Sequence, residues 1–267
     1  MKLETQIVEK VWGRRDIPAS FGDLRGRQIG EIWYDGAAGE TLPLLFKWLF
    51  TSDKLSVQVH PDDAQARACG LPCGKEECWY IVDAQPGARI GMGTVRPMDA
   101  EGLRAASISG EIEQLLDWKP VQAGDYFYIP AGTIHAIGAG ITLVEVQQNA
   151  DITYRLYDYK RLDDGKLRAL HLEEGTAVAN ARPYADPRSG RASGNMQLVN
   201  GPVFSMWLIE SMEGLAMLPP ETPLWIAPIS GGAAIGGAAL NVGDCGIAAS
   251  PGDIRITGPV KLIAASV

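Results

Sequence analysis

The run from Lys54 to Asp63, KLSVQVHPDD, alternates polar and apolar residues and then meets a proline. Its β-branched and apolar content reads as a strand that stops at Pro61. Side chains alternate across a strand, so Ser56, Gln58 and His60 share one face, and Leu55, Val57 and Val59 the other. Such a polar face is ordinary where it meets water. Turned into a barrel, each of its three groups needs a partner.

Working outward, similar short runs dominate the chain: QIGEIWY, LPLLFKWLF, CWYIVDA, ARIGMG, DYFYIP and ITLVEVQ, separated by Gly, Pro, Asp and Asn. Turn signals this close together predict an all-β fold, either a barrel or a sandwich. One segment departs from it. From RPMDAEGLRAAS through SGEIEQLLDW apolar residues recur three or four apart, which predicts a small helical insertion over 94–118 with Asp99 and Ser109 as N-caps.

A second theme is a faint repeat. VQAGDYFYIPAGTIHAI (121–137) returns as LNVGDCGIAASPGDIRIT (240–257), matching Gly124-Asp125 with Gly243-Asp244 and Gly132 with Gly252. Two barrels from one ancestral unit would produce this, although Gly and Asp recur at turns for local reasons. His135 falls on Arg255 in this register, so the second copy cannot repeat the chemistry of the first. The stretch RPYADPRSGRASGN (182–195) reads as a linker. The expected division is 1–185 for the first domain and 196–267 for a degenerate, β-barrel-like second one.

The 267 residues include 24 basic and 32 acidic ones, a net charge of −8, so no global field draws nucleic acid or an acidic membrane. A phosphorylated ligand would need a local cluster of Lys and Arg. The opening MKLETQIVEKVWGRRD has no basic-then-apolar pattern, and no apolar run approaches the ~20 residues of a membrane span, so a cytoplasmic protein is expected. Cys69, Cys73, Cys78 and Cys245 fit neither paired zinc knuckles nor a disulfide framework; buried or loop thiols are expected, with a Cys69–Cys73 redox pair as the alternative.

The chain has three histidines. His60 ends one strand, Glu77 opens another after a Gly-Lys turn, and His135 follows the turn PAGTIH. Two imidazoles and a carboxylate at strand ends suit a divalent ion in the mouth of a barrel, with Gln58 one pleat deeper as an oxygen ligand. Taken singly, each residue is better explained as a surface or locally bonded group. His171, in LRALHLEEG, is expected to be exposed or locally satisfied and not a ligand.

These same segments carry a family likeness. LSVQVHPDD, GKEECWYIVDA and PAGTIHAIGAGITLVEVQQNADITYRLYDYKR resemble the type I mannose-6-phosphate isomerases of the short bacterial branch, as do VWGRRD and IGEIW. The likeness covers most of residues 10–165 and fades in the C-terminal third. It implies a cupin jelly-roll barrel and one Zn²⁺, or another divalent ion, per chain, with the family's ligands falling on Gln58, His60, Glu77 and His135. It further implies Lys47, Lys75 and Arg155 as catalytic and substrate-binding residues, Ser56 as a substrate contact, and a sugar phosphate as substrate.

Aldose–ketose isomerisation through a cis-enediol needs a base near C1 and C2, stabilisation of the enediolate and a grip on the phosphate. Arg155 suits the developing negative charge, while Lys47 and Lys75 suit phosphate binding or proton transfer, the latter calling for a lowered lysine pKa. Against this stand plainer roles: Lys47 as a solvated edge-strand lysine, Lys75 as an exposed turn residue, Arg155 stacked on a tyrosine. Asp158 and Arg161 are expected to form a structural ion pair. Rival readings are an isomerase for an unphosphorylated or different sugar, a non-catalytic sugar-binding cupin, and Fe(II) oxygenase chemistry on the same ligands.

Overall fold

The computed structural model describes residues 1–36 and 40–267. Its first part is a jelly roll of two antiparallel sheets. The larger is built from β1 (Glu4–Arg14), β2 (Ile29–Asp35), β3 (Leu44–Phe50), β5 (Glu77–Ala84), β8 (Asp125–Ile129), β10 (Ile141–Gln148) and β14 (Gly190–Arg191), in the order β1-β2-β3-β10-β5-β8-β14. The smaller has the order β11-β4-β9-β6-β7, from β4 (Val57–Val59), β6 (Arg89–Thr94), β7 (Leu116–Pro120), β9 (His135–Ile137) and β11 (Tyr154–Tyr157). A hairpin of β12 (Leu162–Asp163) and β13 (Lys166–Leu167) follows β11. Helix α1 (Asp63–Ala68) follows β4, α2 (Ala100–Ser109) and α3 (Ile112–Leu115) lie between β6 and β7, and α4 (Leu172–Val178) follows the hairpin.

The alternation read in the sequence holds in β4. Val57 and Val59 are fully buried against an outer cluster that includes Leu103, Ala106 and Ile112 of the helices. Leu55, expected with them, lies ahead of the strand and packs with Trp12, Leu49 and Ile137 in the inter-sheet core. Parity explains the larger sheet as well. On β3, β5 and β10 the inward positions run from charged to apolar: Lys47 then Leu49, Glu77 then Trp79 and Ile81, Glu145 then Leu143. The barrel therefore has an apolar floor and a charged upper half. The outward positions, among them Phe46, Trp48, Phe50, Cys78, Tyr80, Val144 and Val146, join a second buried cluster. Strands buried on both faces lose their polar alternation, which is why LPLLFKWLF reads as one apolar run.

What covers the outward face is the C-terminal part. Strands 196–200, 205–209, 224–230, 246–248 and 261–266 form a five-stranded sheet, and 232–235, 238–241 and 254–256 a three-stranded one. Met206, Leu208, Trp225, Ala227, Ile263 and Ala265 pack on the larger jelly-roll sheet, whereas Trp207, Ile209, Leu224, Ile226, Leu262 and Ala264 point into the small C-terminal core.

The repeat is visible in its turns. Gly124 and Gly243 have φ of +90° and +96°, and in each turn the following aspartate accepts an amide three residues back, Gln122 to Asp125 and Asn241 to Asp244, both at 2.9 Å. The other matched pair does not hold, since Gly132 has φ +80° and Gly252 sits in a 3-10 turn without a positive φ.

Two expectations change. The 182–195 stretch is no free linker: Pro183 bridges Gly93, β14 adds to the larger sheet beside β8, and Arg188 stacks 3.9 Å from the Tyr128 ring centroid. Asp99 caps α2 as expected, accepting the Gly102 amide at 2.8 Å, but Ser109 ends that helix instead of starting the next. The helical insertion packs on the outer face of the smaller sheet and contributes no residue to the barrel mouth. Among the described residues, no helix is long and apolar enough to cross a membrane, and all four cysteines are free.

Candidate metal centre

Strand register brings the polar residues into two facing rows. Across the smaller sheet Arg155 pairs with Gln58, Gln58 with His135, and His135 with Met92. Across the larger sheet Trp33 pairs with Lys47, Lys47 with Glu145, and Glu145 with Trp79. Between the rows lies a cavity of about 360 Å³ whose walls include Ser56, Gln58, Lys47, Lys75, Glu145 and Arg155.

His60, Glu77 and His135 form a buried cluster behind Gln58 and Lys75, with one ligating atom of each within 4.8 Å of the others. His60 Nδ1 donates to the Ile152 carbonyl at 2.7 Å and His135 Nδ1 to the Thr133 carbonyl at 2.9 Å. Each carbonyl fixes its ring's tautomer, so both Nε2 lone pairs turn inward. They face Glu77, His60 Nε2 at 3.6 Å from Oε2 and His135 Nε2 at 3.3 Å from Oε1. His60 Nε2 and Glu77 Oε1 are buried with no hydrogen-bond partner.

Protonation of the imidazoles does not resolve this crowding of lone pairs. Burial, with Lys75 and His135 adding to it, holds the His60 pKa well below its ordinary value, and burial pushes His135 down to about 4. Burial, reinforced by Glu145, pushes Glu77 up to about 7 against the pull of Lys75. Two neutral imidazoles and a carboxylate, oriented by second contacts and with His60 Nε2 and Glu77 Oε1 lacking partners, suit a divalent cation. Gln58 lies beside them, its amide nitrogen 3.2 Å from His135 Nε2 and its oxygen accepting from Ser56 Oγ at 3.2 Å. Service as an oxygen ligand requires the amide to turn by half a rotation.

Both lysines are buried, contrary to their plainer readings. Lys47 belongs to a strand hydrogen-bonded on both sides, so it is no edge residue; its Nζ lies 3.3 Å from Glu145 Oε1 and 4.5 Å from the Trp33 ring centroid. Lys75 Nζ lies 3.1 Å from Glu77 Oε2 and 4.0 Å from Glu145 Oε1. Burial lowers the Lys75 pKa, but the two carboxylates outweigh it and leave it raised. That is the opposite of the lowering expected for a lysine base. Arg155 is half-buried and donates from Nη1 to the Ala169 carbonyl at 3.3 Å; among the described residues no aromatic ring takes its guanidinium. The Asp158–Arg161 ion pair forms at 2.7 Å, as expected.

The sequence reading missed Glu145 and Arg168, which line the cavity; His171 lines it too and is locally satisfied, as expected. His171 Nδ1 accepts the Arg155 amide at 3.1 Å, so it stands in the wall without joining the ligand cluster. Glu145 had a signal: Lys47 and Glu145 are single opposite charges inside two apolar strands, and buried charges require pairing.

A family model described as phosphomannose isomerase type I, catalytic domain, matches residues 28–87. A mannose-6-phosphate isomerase of Streptococcus mutans is 34% identical over 269 aligned positions, covering 86% of this chain and 84% of that protein. The chain belongs to the type I phosphomannose isomerase family. Mannose-6-phosphate isomerase ManA of Bacillus subtilis is 44% identical over 165 positions, 59% of this chain and 52% of that protein. The crystal structure of the mannose 6-phosphate isomerase from Bacillus subtilis superposes with a TM-score of 0.80 at 29% identity, covering 100% of this chain and 99% of that one. The phosphomannose isomerase match at 28–87 contains Lys47, Ser56, Gln58, His60, Lys75 and Glu77; the strand pairings of β4 set His135 and Arg155 beside them.

Proposed function

We propose that this chain interconverts mannose 6-phosphate and fructose 6-phosphate through a cis-enediol, using one divalent ion, Zn²⁺ or a similar metal, per chain. His60, Glu77 and His135 would hold the ion, with Gln58 as a fourth, oxygen ligand. When bound, the ion supplies Lewis-acid polarisation of the sugar oxygens. The observation that carries the reading is the pair of tautomer-fixed histidines and the unpartnered Glu77 oxygen, packed against Gln58 and Lys75 of a cavity also walled by Lys47 and Arg155.

Lys75 and Lys47, held against carboxylates, act as donors to the sugar oxygens. Glu145 touches both, and its pKa is lowered because the two lysines outweigh the burial that would raise it. Its ionised carboxylate is the group we assign to proton removal at the reacting carbons. Arg155 stabilises the enediolate charge, and Ser56 Oγ, now donating to the Gln58 oxygen, would accept from its nitrogen once the amide has turned. The C-terminal strands contribute no side chain to the cavity, which supports a structural role for residues 196–267.

The test is turnover by metal-stripped protein, with and without added Zn²⁺, on mannose 6-phosphate and on free mannose in parallel. Metal-dependent turnover of the phosphorylated sugar alone is expected. Turnover of free mannose at an equal rate would remove the phosphate from the reading; no turnover of either sugar, with one metal bound per chain, would overturn it.

A further inference from the structure

The lysines expected to hold a phosphate are already engaged. Lys47 sits on Glu145 at 3.3 Å and Lys75 on Glu77 at 3.1 Å, so at that end of the cavity two positive charges meet two negative ones. Less tightly paired positive charge lies farther out. Among the described residues Arg155 has no carboxylate within 4.0 Å, and its Nε is buried without a hydrogen-bond partner. Arg168 enters the same cavity from the chain that returns after the β12–β13 hairpin. Its Nη1 is likewise buried without a hydrogen-bond partner, 3.5 Å from Asp158 Oδ2. Asp158 gives its other oxygen to Arg161 at 2.7 Å, and Arg161 is held as well by Asp53 at 3.2 Å, so the contact of Asp158 with Arg168 is the longer of its two.

The two arginines are held side by side. His171 N donates to the Arg155 carbonyl at 2.8 Å, the Arg155 amide donates to His171 Nδ1 at 3.1 Å, and Arg155 Nη1 donates to the carbonyl of Ala169, next to Arg168. Burial first, and the Arg168 charge second, lower the Arg155 pKa against the weaker opposing pull of Asp158, Asp151 and Asp163. Asp151 and Asp163 stand in the same walls, but neither comes within 4.0 Å of either arginine. Both arginines also line a groove that continues outward past Lys10 and Arg15. Planar guanidinium forks are suited to bidentate recognition of phosphate.

We propose that Arg168 is a substrate-binding residue that clamps the phosphate together with Arg155, at the opening of the cavity, leaving the sugar end to point inward to His60, Glu77 and His135. The proposal rests on the isomerase reading for its substrate but makes a separate claim about where anions bind. Arg168 then sets the preference for a phosphorylated over a free sugar.

Inorganic phosphate is the probe, titrated calorimetrically into the metal-loaded full chain. Arg168→Gln is expected to weaken phosphate about tenfold or more and to raise KM for mannose 6-phosphate similarly, with kcat changed by less than about threefold. Arg161→Gln, on the same Asp158 but outside the cavity, is expected to leave phosphate affinity unchanged. Should Arg168→Gln not fold, Arg168→Lys, which keeps the charge and loses the fork, is expected to weaken phosphate about threefold or more. Unchanged phosphate affinity in the Arg168 variant, no phosphate binding by the unaltered chain, or an equal loss in Arg161→Gln would overturn the assignment. Phosphate binding that depends on Arg168, in a chain that does not isomerise mannose 6-phosphate, would overturn the reaction and leave the clamp standing.

Discussion

Lys47 and Glu145 are single charges inside otherwise apolar strands, and their side chains are about 5% exposed. Removing one partner of a buried pair strands the other, which costs roughly 3–5 kcal/mol, whereas apolar replacement of both is often close to neutral. Lys47→Met should therefore lower the urea midpoint by more than Lys47→Met combined with Glu145→Leu, and both variants should lose turnover. A double variant no more stable than Lys47→Met would mean that the pair is not coupled. Glu77→Gln tests the metal end: the charge goes, the shape stays, and bound metal measured by atomic emission should fall at least ~100-fold in affinity, beyond the 10–100-fold typical of outer contacts. Metal retained at full stoichiometry and affinity would remove Glu77 from the ligand set. His60, Glu77 and His135 were legible because each borders a proline or turn at a strand end, where parity alone tells which way a residue faces. Glu145 and Arg168 were not, since their place depends on which strands become neighbours and on how a hairpin returns.

Between α1 and β5 the loop that delivers Lys75 and Glu77 is fastened to the end of β4 at a few points. Asp63 Oδ1 accepts the Gly74 amide and the Gln148 side chain, both at 2.9 Å, and Lys75 N donates to the Pro61 carbonyl at 3.0 Å. A Cβ on Gly74 would lie 2.4 Å from the Asp62 carbonyl carbon and 2.6 Å from the Pro61 oxygen, both backbone atoms that cannot yield cheaply. Gly74→Ala should thus move Lys75 and cut kcat/KM by about tenfold or more, a loss of the size that misplacing a reacting group brings. Kinetics equal to those of the unaltered chain would show that the loop has slack. The Gly74 amide first, and the Gln148 amide next, lower the Asp63 pKa, so the folded state holds this carboxylate ionised more firmly than the unfolded chain does, at about 3.9. What Asp63 adds to stability is therefore complete above that value and disappears as pH falls through the lower folded one. Asp63→Ala should lower the urea midpoint at pH 7 and match the unaltered chain at the acid limit. A gap that widens on acidification would reverse the sign. The helical insertion shows the limit of element-level reading: its 3.6-residue periodicity was plain, but periodicity does not say which wall of a barrel a helix covers.

Three stacked sheets set the behaviour of the whole molecule. The larger jelly-roll sheet is the middle layer, with the candidate metal-binding cluster on one side and the five-stranded C-terminal sheet on the other. The run LPLLFKWLF carries this arrangement, because both of its faces are covered. A linker between separate barrels was the natural reading of a stretch rich in Pro, Gly and Ser, since composition reports local turn preference and not that β14 completes a sheet edge. Phe204 lies within the shared layer, 2% exposed and with its ring 5.9 Å from that of Tyr128. Phe204→Ala should cost about 3–5 kcal/mol, as core aromatic truncations do. Because the lost contacts join the two parts, the variant should still unfold in a single calorimetric transition, at a lower temperature. Its kcat on mannose 6-phosphate well below that transition should stay within about twofold of the unaltered chain, as expected for a site outside the catalytic machinery. Two resolved transitions, with only the first moved by the substitution, would mean that the parts fold as independent units and that the common layer is a contact surface, not a common core.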